Sequence, residues 1–437
     1  MNRRHFLRSG GSAAVGLLTL GACNKNNLLG LGSFNGRVVV VGAGAAGLYA
    51  GFLMKARGMD FEILEASFRV GGRLAKLEGF ADYALDLGAE WLHGRNSLAA
   101  DLAARHQVMV TPDNSEPVYV FQGGRIVSPP LDPELFEQKG LPDVSFWDYA
   151  QQQGYSSQHR WLVEALAAEY GASASKISAY WNAQEFRNWS AGDEDLRFAR
   201  TYYDLLYDHV AFHVLDKIRF NTVVTGLDFS GKRVEIHTLS GEVFEADKVI
   251  LTVPLSVLQK GLINFNPPLP EFKTKAFAAM GMEGCVKFFL KFQQRFYDAM
   301  LLGGEVCASY YDASLGKPGK DAVLMGMAMG QQAEKLVMLG SSQAMTQAVL
   351  DELDSLYAGQ ASANFVTAYF QDWGSEPFIQ GAYSYSTVGM GVARSVAADD
   401  VDGKIYFAGE AMNLNGHHQT VHGAMETAWQ CLVKILA

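Results

Sequence analysis

The sequence predicts an α/β fold, and three observations carry the prediction. A β-branched run, Val38-Val39-Val40-Val41, enters Gly42-Ala43-Gly44-Ala45-Ala46-Gly47 and then an apolar helix. A second strand-like run, Phe61-Glu62-Ile63-Leu64-Glu65, follows one helix later. A buried strand, Lys248 to Val253, is stopped by Pro254, and another, Lys404 to Ala408, returns near the C-terminus. Nucleotide-site features at both ends of the chain imply a discontinuous Rossmann-like cofactor domain, with an α+β substrate domain inserted in pieces.

The elements follow in order. Residues 1–22 read as an export leader, because Asn2-Arg3-Arg4-His5-Phe6-Leu7 resembles a twin-arginine signal. The weakly apolar stretch Ser12 to Ala22 is too short for a stable membrane span. Leu20-Gly21-Ala22-Cys23 resembles a bacterial lipobox, with Cys23 as the lipidated residue and 23–35 as a tether. The expected location is the periplasm, free or held by that lipid anchor, with no other membrane contact. Twin-arginine export carries folded protein, which suits a chain that fills its cofactor site first.

Segments 36–98, 210–280 and 396–437 are assigned to the cofactor domain, and 99–209 and 281–395 to the substrate domain. Residues 99–209 look mainly helical, with amphipathic stretches at 161–170 and 198–215, and a further helix is expected over 342–357. A final helix starts near Thr420, with Val421, Ala424, Met425, Ala428, Leu432 and Ile435 at helical spacing.

Composition narrows the function. With 49% hydrophobic and only 19% charged residues, long disordered regions are not expected. The net charge of −10, or −13 once Arg3, Arg4 and Arg8 leave with a leader, offers nothing basic for nucleic acid. Beyond Cys23 there are only Cys285, Cys307 and Cys431, which make no disulfide framework and no metal pair. His417, His418 and His422 lie close together, but no acidic or cysteine ligand joins them at a metal spacing, so no metal is expected.

The glycine turn carries the first chemistry. Gly42 permits the tight turn, Gly44 lets backbone approach a pyrophosphate, and Gly47 lets helix and strand pack closely. Free N–H groups and the helix dipole around Ala46 favour the anion. Glu65 is placed to accept from a ribose diol, with Ala66 beside it. These residues leave NAD and FAD both open.

Three longer motifs are more specific. They are Glu65-Ala66-Ser67-Phe68-Arg69-Val70-Gly71-Gly72-Arg73, Asp86-Leu87-Gly88-Ala89-Glu90-Trp91-Leu92-His93-Gly94, and Tyr406-Phe407-Ala408-Gly409-Glu410-Ala411 followed by Thr420-Val421-His422-Gly423-Ala424. Together, from about Gly36 to the C-terminus, they resemble the flavin-containing amine oxidase family of monoamine oxidases, polyamine and spermine oxidases and lysine-specific histone demethylases. The resemblance implies the family's two-domain fold, FAD, and hydride removal from a C–N bond to flavin N5. The imine formed is then hydrolysed to aldehyde plus amine. Electrons go to molecular oxygen or to a periplasmic acceptor.

By the same resemblance, Gly72 and Arg73 meet a phosphate, and Gly88, Ala89, Glu90 and Trp91 line the flavin with main-chain groups. Val224 meets the adenine, Gly409 passes the pyrophosphate, and Glu410 takes a ribityl hydroxyl. Val421 opens the helix whose N-terminus points at the flavin pyrimidine edge. Lys287, in the otherwise apolar strand Cys285 to Phe292, sits beside N5 through a water, whereas Lys291 reads as a strand-face lysine reaching solvent. Trp373 lies near the dimethylbenzene ring. Tyr383 forms one wall of an amine cage and Thr420 the other.

Three positions sharpen the subclass. Ala382 stands where monoamine oxidases carry a flavin-linking cysteine, so FAD is expected to be noncovalent. Thr420 replaces a monoamine oxidase tyrosine. Trp91 stands where amino-acid oxidases place a carboxylate-clamping arginine. His93, in Trp-Leu-His-Gly, resembles a polyamine oxidase position that meets the substrate's amine chain. A polyamine is the expected substrate, with another amine (a monoamine, alkaloid or amino acid) or a non-catalytic amine-binding flavoprotein as alternatives. The segments 412–419 and 423–428 depart from the family pattern. No long helical insertion is visible, which speaks against histone demethylation.

Overall fold

Valines branched at Cβ fit a pleated strand buried on both faces, and β1 (Arg37–Val41) is such a strand. In the computed structural model, which describes residues 31–437 apart from Pro133, β1 lies at the centre of a five-stranded parallel sheet. The expected leader, the lipobox at Cys23 and most of the tether lie outside the described residues. β2 (Asp60–Leu64) pairs with one edge of β1 and Lys248–Leu251 with the other. Ile218–Arg219 and Ile405–Phe407 complete the two sides, so distant pieces of chain build one sheet.

The alternation of β1 divides its core. Val38 and Val40 face Leu48 and Met54 of the crossover helix α1 (Ala45–Ala56), together with Met425 and Leu432 of the C-terminal helix Val421–Leu436. Val39 and Val41 face Val234, Ile236 and Phe277 on the opposite side, under a four-stranded layer. Each fully buried valine contributes about 1.5–3 kcal/mol by leaving water.

The substrate side is a seven-stranded sheet. Its order is Phe365–Asp372, Cys285–Phe292, Ala322–Met329, Ser309–Asp312, Met300–Leu302, Pro117–Phe121 and Gly124–Ile126. Leu162 and Val163 of the helix Arg160–Glu169 pack on the face that carries Phe289 and Met325. Val349 and Leu353 of the helix Ser342–Tyr357 pack on the other, against Phe288 and Leu290.

Two expectations are corrected here. The stretch 99–209 is not mainly helical: Val110–Pro112, Pro117–Phe121, Gly124–Ile126 and Asp195–Phe198 are strands. The amphipathic run from Phe198 to Leu215 is broken too. A strand ends at Phe198, and the helix Tyr202–His209 begins only after Thr201, whose side chain accepts from Asp204 N. Ala99, Ala103, Leu196, Tyr202 and Leu206 pack with Leu48 and Leu432, because their apolar faces are buried on the cofactor core rather than on the seven-stranded sheet.

Cys285, Cys307 and Cys431 are free and buried. Burial pushes the Cys285 and Cys431 thiols up to about 12, which leaves them inert. Among the described residues no helix is long and apolar enough to cross a membrane.

Candidate active site

The glycine turn opens a cradle at the head of β1. A Cβ on Gly47 would lie 1.9 Å from Gly42 O, so only glycine lets α1 leave the strand at this angle. A Cβ on Gly44 would meet nothing within 4 Å. Gly44 is also the N-cap of α1 and places no side chain over the first-turn N–H groups, among them that of buried Ala46. Gly409, at φ +135°, is likewise open beyond its Cα. Gly71 N–H donates to Ala43 O at 2.8 Å, which brings Gly72 against Gly44. This glycine-lined cradle, backed by a helix N-terminus, fits a pyrophosphate.

Glu65 closes the cradle on one side. Its carboxylate accepts from Ala43 N at 2.6 Å and from Ser67 N and Oγ at 2.9 and 2.7 Å, which ties Ala66 and the loop after it to the glycine turn. Thr222 N–H donates to Glu65 O, which places the buried Val224 segment at the same end.

Arg73 and Glu410 meet across the chain at 2.9 Å, and Arg73 also donates to Ala382 O at 2.7 Å. The Glu410 carboxylate accepts in addition from Ser384 N, from Ser384 Oγ at 2.8 Å and from Gln419 N at 3.0 Å. Burial raises its pKa, but Arg73 and the Ser384 hydroxyl outweigh burial and hold it below the usual carboxylate range. Protein donors therefore occupy both oxygens that the sequence assigns to a ribityl hydroxyl.

The segment Gly88 to Trp91 runs between Arg73 and Lys287. Ala89 N–H donates to Arg73 O, and a Cβ on Gly88 would strike that same carbonyl at 1.7 Å. Trp373 is buried and donates its indole N–H to Leu87 O at 3.0 Å. Lys287 is buried and donates to Gly88 O at 3.0 Å and to Glu90 Oε2 at 2.7 Å. Lys291, on the same strand face, reaches Asp321 at 2.5 Å and stays partly exposed.

Behind Glu90 stands Arg197, which bonds its other oxygen and reaches Asp113 Oδ2 at 2.9 Å. Asp113 also accepts from Trp91 Nε1 at 3.0 Å, and the Trp91 ring lies over the guanidinium. Burial pushes the Glu90 carboxyl up, but Lys287 and Arg197 together hold it below its ordinary value. Burial likewise opposes Asp113, where Arg197 and hydrogen bonds win and hold the pKa at about 2. Sequence reasoning placed only the Glu90 main chain here. Its side chain, Arg197 and Asp113 were missed. The one available signal was Asp195 and Arg197 alternating with Leu196 and Phe198, which puts two charges on one strand face.

His93 Nδ1 lies 2.7 Å from Asp195 Oδ1 across paired strands. Tyr383 OH donates toward Ala168 O and Glu169 O, and its ring fits over Gly171, where a Cβ would strike it. Thr420 caps the C-terminal helix, accepting from Gly423 N and donating to His417 O. Val421 follows as the first helical residue. The departing loop is tied down: Gln419 Nε2 donates to Tyr170 O and Ser384 O, and His418 pairs with Glu185.

One expectation about the histidines is corrected. Glu426 does join His417 and His422, because one helical turn carries Glu426 back over His422. The ligand atoms of the three lie within 4.8 Å of one another. His417 uses both ring nitrogens on protein partners, Glu426 at 2.8 Å and Ser190, and the His422 ring packs edge-on against it.

Residues 132–435 match the family described as flavin containing amine oxidoreductase, and residues 40–105 match one described as an NAD(P)-binding Rossmann-like domain. The chain is 30% identical to lysine-specific histone demethylase 2 of Homo sapiens over 96% of this chain and 55% of the relative. It thus spans about half the length of that relative. Identity to a probable polyamine oxidase 4 of Arabidopsis thaliana is 27% over 89% of this chain and 84% of the relative. A double mutant of putrescine oxidase superposes with a TM-score of 0.78 at 20% identity, covering 92% of this chain and 99% of that one, a likeness of fold.

Proposed function

The chain belongs to the flavin-containing amine oxidoreductase family with FAD as its cofactor, and from that premise we propose that it oxidises the C–N bond of an amine, with a polyamine as substrate. Bound FAD supplies the hydride acceptor, at N5. The substrate amine reacts neutral, because an ammonium has no lone pair to drive loss of the α-hydride. The imine that results is hydrolysed to aldehyde plus amine, and the electrons pass to molecular oxygen or to a periplasmic carrier.

The chain's own residues bind and orient. Tyr383, its hydroxyl held at Ala168 O and Glu169 O, is read as one wall of the amine cage, and Thr420, the N-cap of the C-terminal helix, as the other. Trp91 has its indole N–H committed to Asp113, so the position offers no cation to a substrate carboxylate. This argues against an amino-acid substrate.

The observation that carries the polyamine reading is the His93–Asp195 pair. A carboxylate only accepts, so the imidazole donates from Nδ1, and Asp195 fixes how the ring is turned. So oriented, His93 is the group we assign to the substrate's amine chain, and the buried carboxylate beside it stabilises positive charge on the ring. The deciding experiment mixes purified holoprotein anaerobically with spermidine, spermine, putrescine, tyramine, benzylamine and amino acids. Bleaching of the visible flavin band by a polyamine supports the reading, and admitting oxygen then tests the acceptor. No bleaching by any amine overturns it. His93→Ala is expected to weaken polyamine turnover roughly tenfold or more while benzylamine turnover changes little. Equal small effects on both would make His93 a structural residue.

We infer from the leader motif that the protein is exported to the periplasm already loaded, either free or held by a lipid anchor at Cys23. Changing Arg3 and Arg4 together to Lys should strand holoprotein in the cytoplasm, as read by fractionation. Unchanged export would remove the twin-arginine reading.

A further inference from the structure

We propose that Glu90, backed by Arg197, is the positioning residue that sets where the Lys287 ammonium points and what charge surrounds it. The inference rests on Lys287 serving the cofactor, as read above. Lys287 has three N–H donors. Two are committed, to Glu90 Oε2 at 2.7 Å and to Gly88 O at 3.0 Å, and both acceptors come from the segment that lies against Arg73. A tetrahedral ammonium with two donors fixed has its third confined to one direction. Gly88 alone would leave the group free to swing, so Glu90 supplies the second constraint.

Glu90 is fixed in turn. Its other oxygen bonds Arg197 Nη1, and Arg197 Nε is held by Asp113 at 2.9 Å. The Trp91 ring covers the guanidinium with its centroid at 4.5 Å, and Trp91 Nε1 closes the ring of contacts on Asp113. The side chains of Lys287, Glu90, Arg197 and Asp113 are each no more than 3% exposed. Buried this deeply, they are little screened by bulk solvent, so each geometry depends on the next. Two cations face two anions, so these four groups balance, and the buried Lys317–Asp86 pair lies within their field. Loss of the Glu90 charge alone would leave one net positive charge beside Lys287.

An ion network that merely stitches two domains together would have the same contacts, so the test must read the cofactor. Holoprotein is prepared as parent, Glu90→Gln, Glu90→Asp, Lys287→Met and the double variant Glu90→Gln with Lys287→Met. Glu90→Gln keeps the shape and removes the charge. It is expected to retain FAD, to raise the flavin midpoint potential, and to slow flavin reduction or reoxidation by roughly 10–100-fold. Glu90→Asp keeps the charge but falls short of Lys287, so the rate should drop while the potential stays. The double variant should be no slower than Lys287→Met alone, because Glu90 acts through that lysine. Unchanged potential and rates in Glu90→Gln, or losses that multiply in the double variant, would overturn the inference. Should Glu90→Gln fail to fold, Glu90→Asp and its combination with Lys287→Met carry the same comparison. Parental rates in Lys287→Met would overturn the reading of Lys287 itself, an outcome separate from a failure at Glu90.

Discussion

Lys287→Met is expected to slow flavin reduction or reoxidation by about 10²–10⁴-fold, the usual cost of removing a placed polar group from a reacting centre, while FAD stays bound. Methionine keeps the length of the stem in the strand Cys285–Phe292 and removes only the ammonium. The structural cost should be modest. Breaking a buried ion pair commonly costs about 3–5 kcal/mol because a charge is orphaned. Here Arg197 still bonds Glu90, so that carboxylate is not stranded and the loss should fall below that range. Stopped-flow spectra of the flavin band, with melting temperature and bound FAD as controls, separate the two effects. Near-normal turnover would strike Lys287 from the site. A large loss of FAD would instead make it a structural residue.

What could be read ahead of the structure depended on how far apart the partners lie in the chain. β1, α1 and β2 were legible because a valine run, a glycine turn and a spaced acid all fall within a short window. Lys287 was legible because a lysine in an apolar strand is costly to bury without a purpose, and the family resemblance chose it over Lys291 on the same face. The partners that fix it were not. Glu90, Asp113, Arg197 and Lys287 sit on separate segments, and nothing local says that they converge. The same limit explains the strands missed between 110 and 126. Pro117–Phe121 pairs with Met300–Leu302 far along the chain, and its partner nearby in sequence, Gly124–Ile126, is only three residues long, so little alternation is left to detect. Glu426 was overlooked for a related reason. His417 precedes the helix, so helical spacing relates Glu426 to His422 but not to His417.

The glycine turn allows a sharper test, because its members should fail in different ways. Gly47→Ala puts a methyl 1.9 Å from Gly42 O and 3.0 Å from the Thr252 hydroxyl. Backbone cannot yield there without tilting α1 off β1, and α1 is packed on the C-terminal helix through the core of Leu48, Met54 and Leu432. Overpacking of this kind costs about 1–3 kcal/mol, and more where the clash is with main chain. Gly47→Ala is therefore expected to lower stability even without FAD and to yield protein with little flavin. Gly44→Ala differs. At φ −77° an alanine is unstrained, and its methyl meets no protein atom within 4 Å. The apo chain should melt as the parent does. The methyl nevertheless stands in the open cradle that a pyrophosphate would fill, so FAD affinity should fall by a large factor, read by titrating FAD into apo protein. If Gly44→Ala binds FAD as tightly as the parent, the pyrophosphate does not cross this turn. If Gly47→Ala melts as the parent does, the close approach of α1 to the strand is not what makes that glycine necessary.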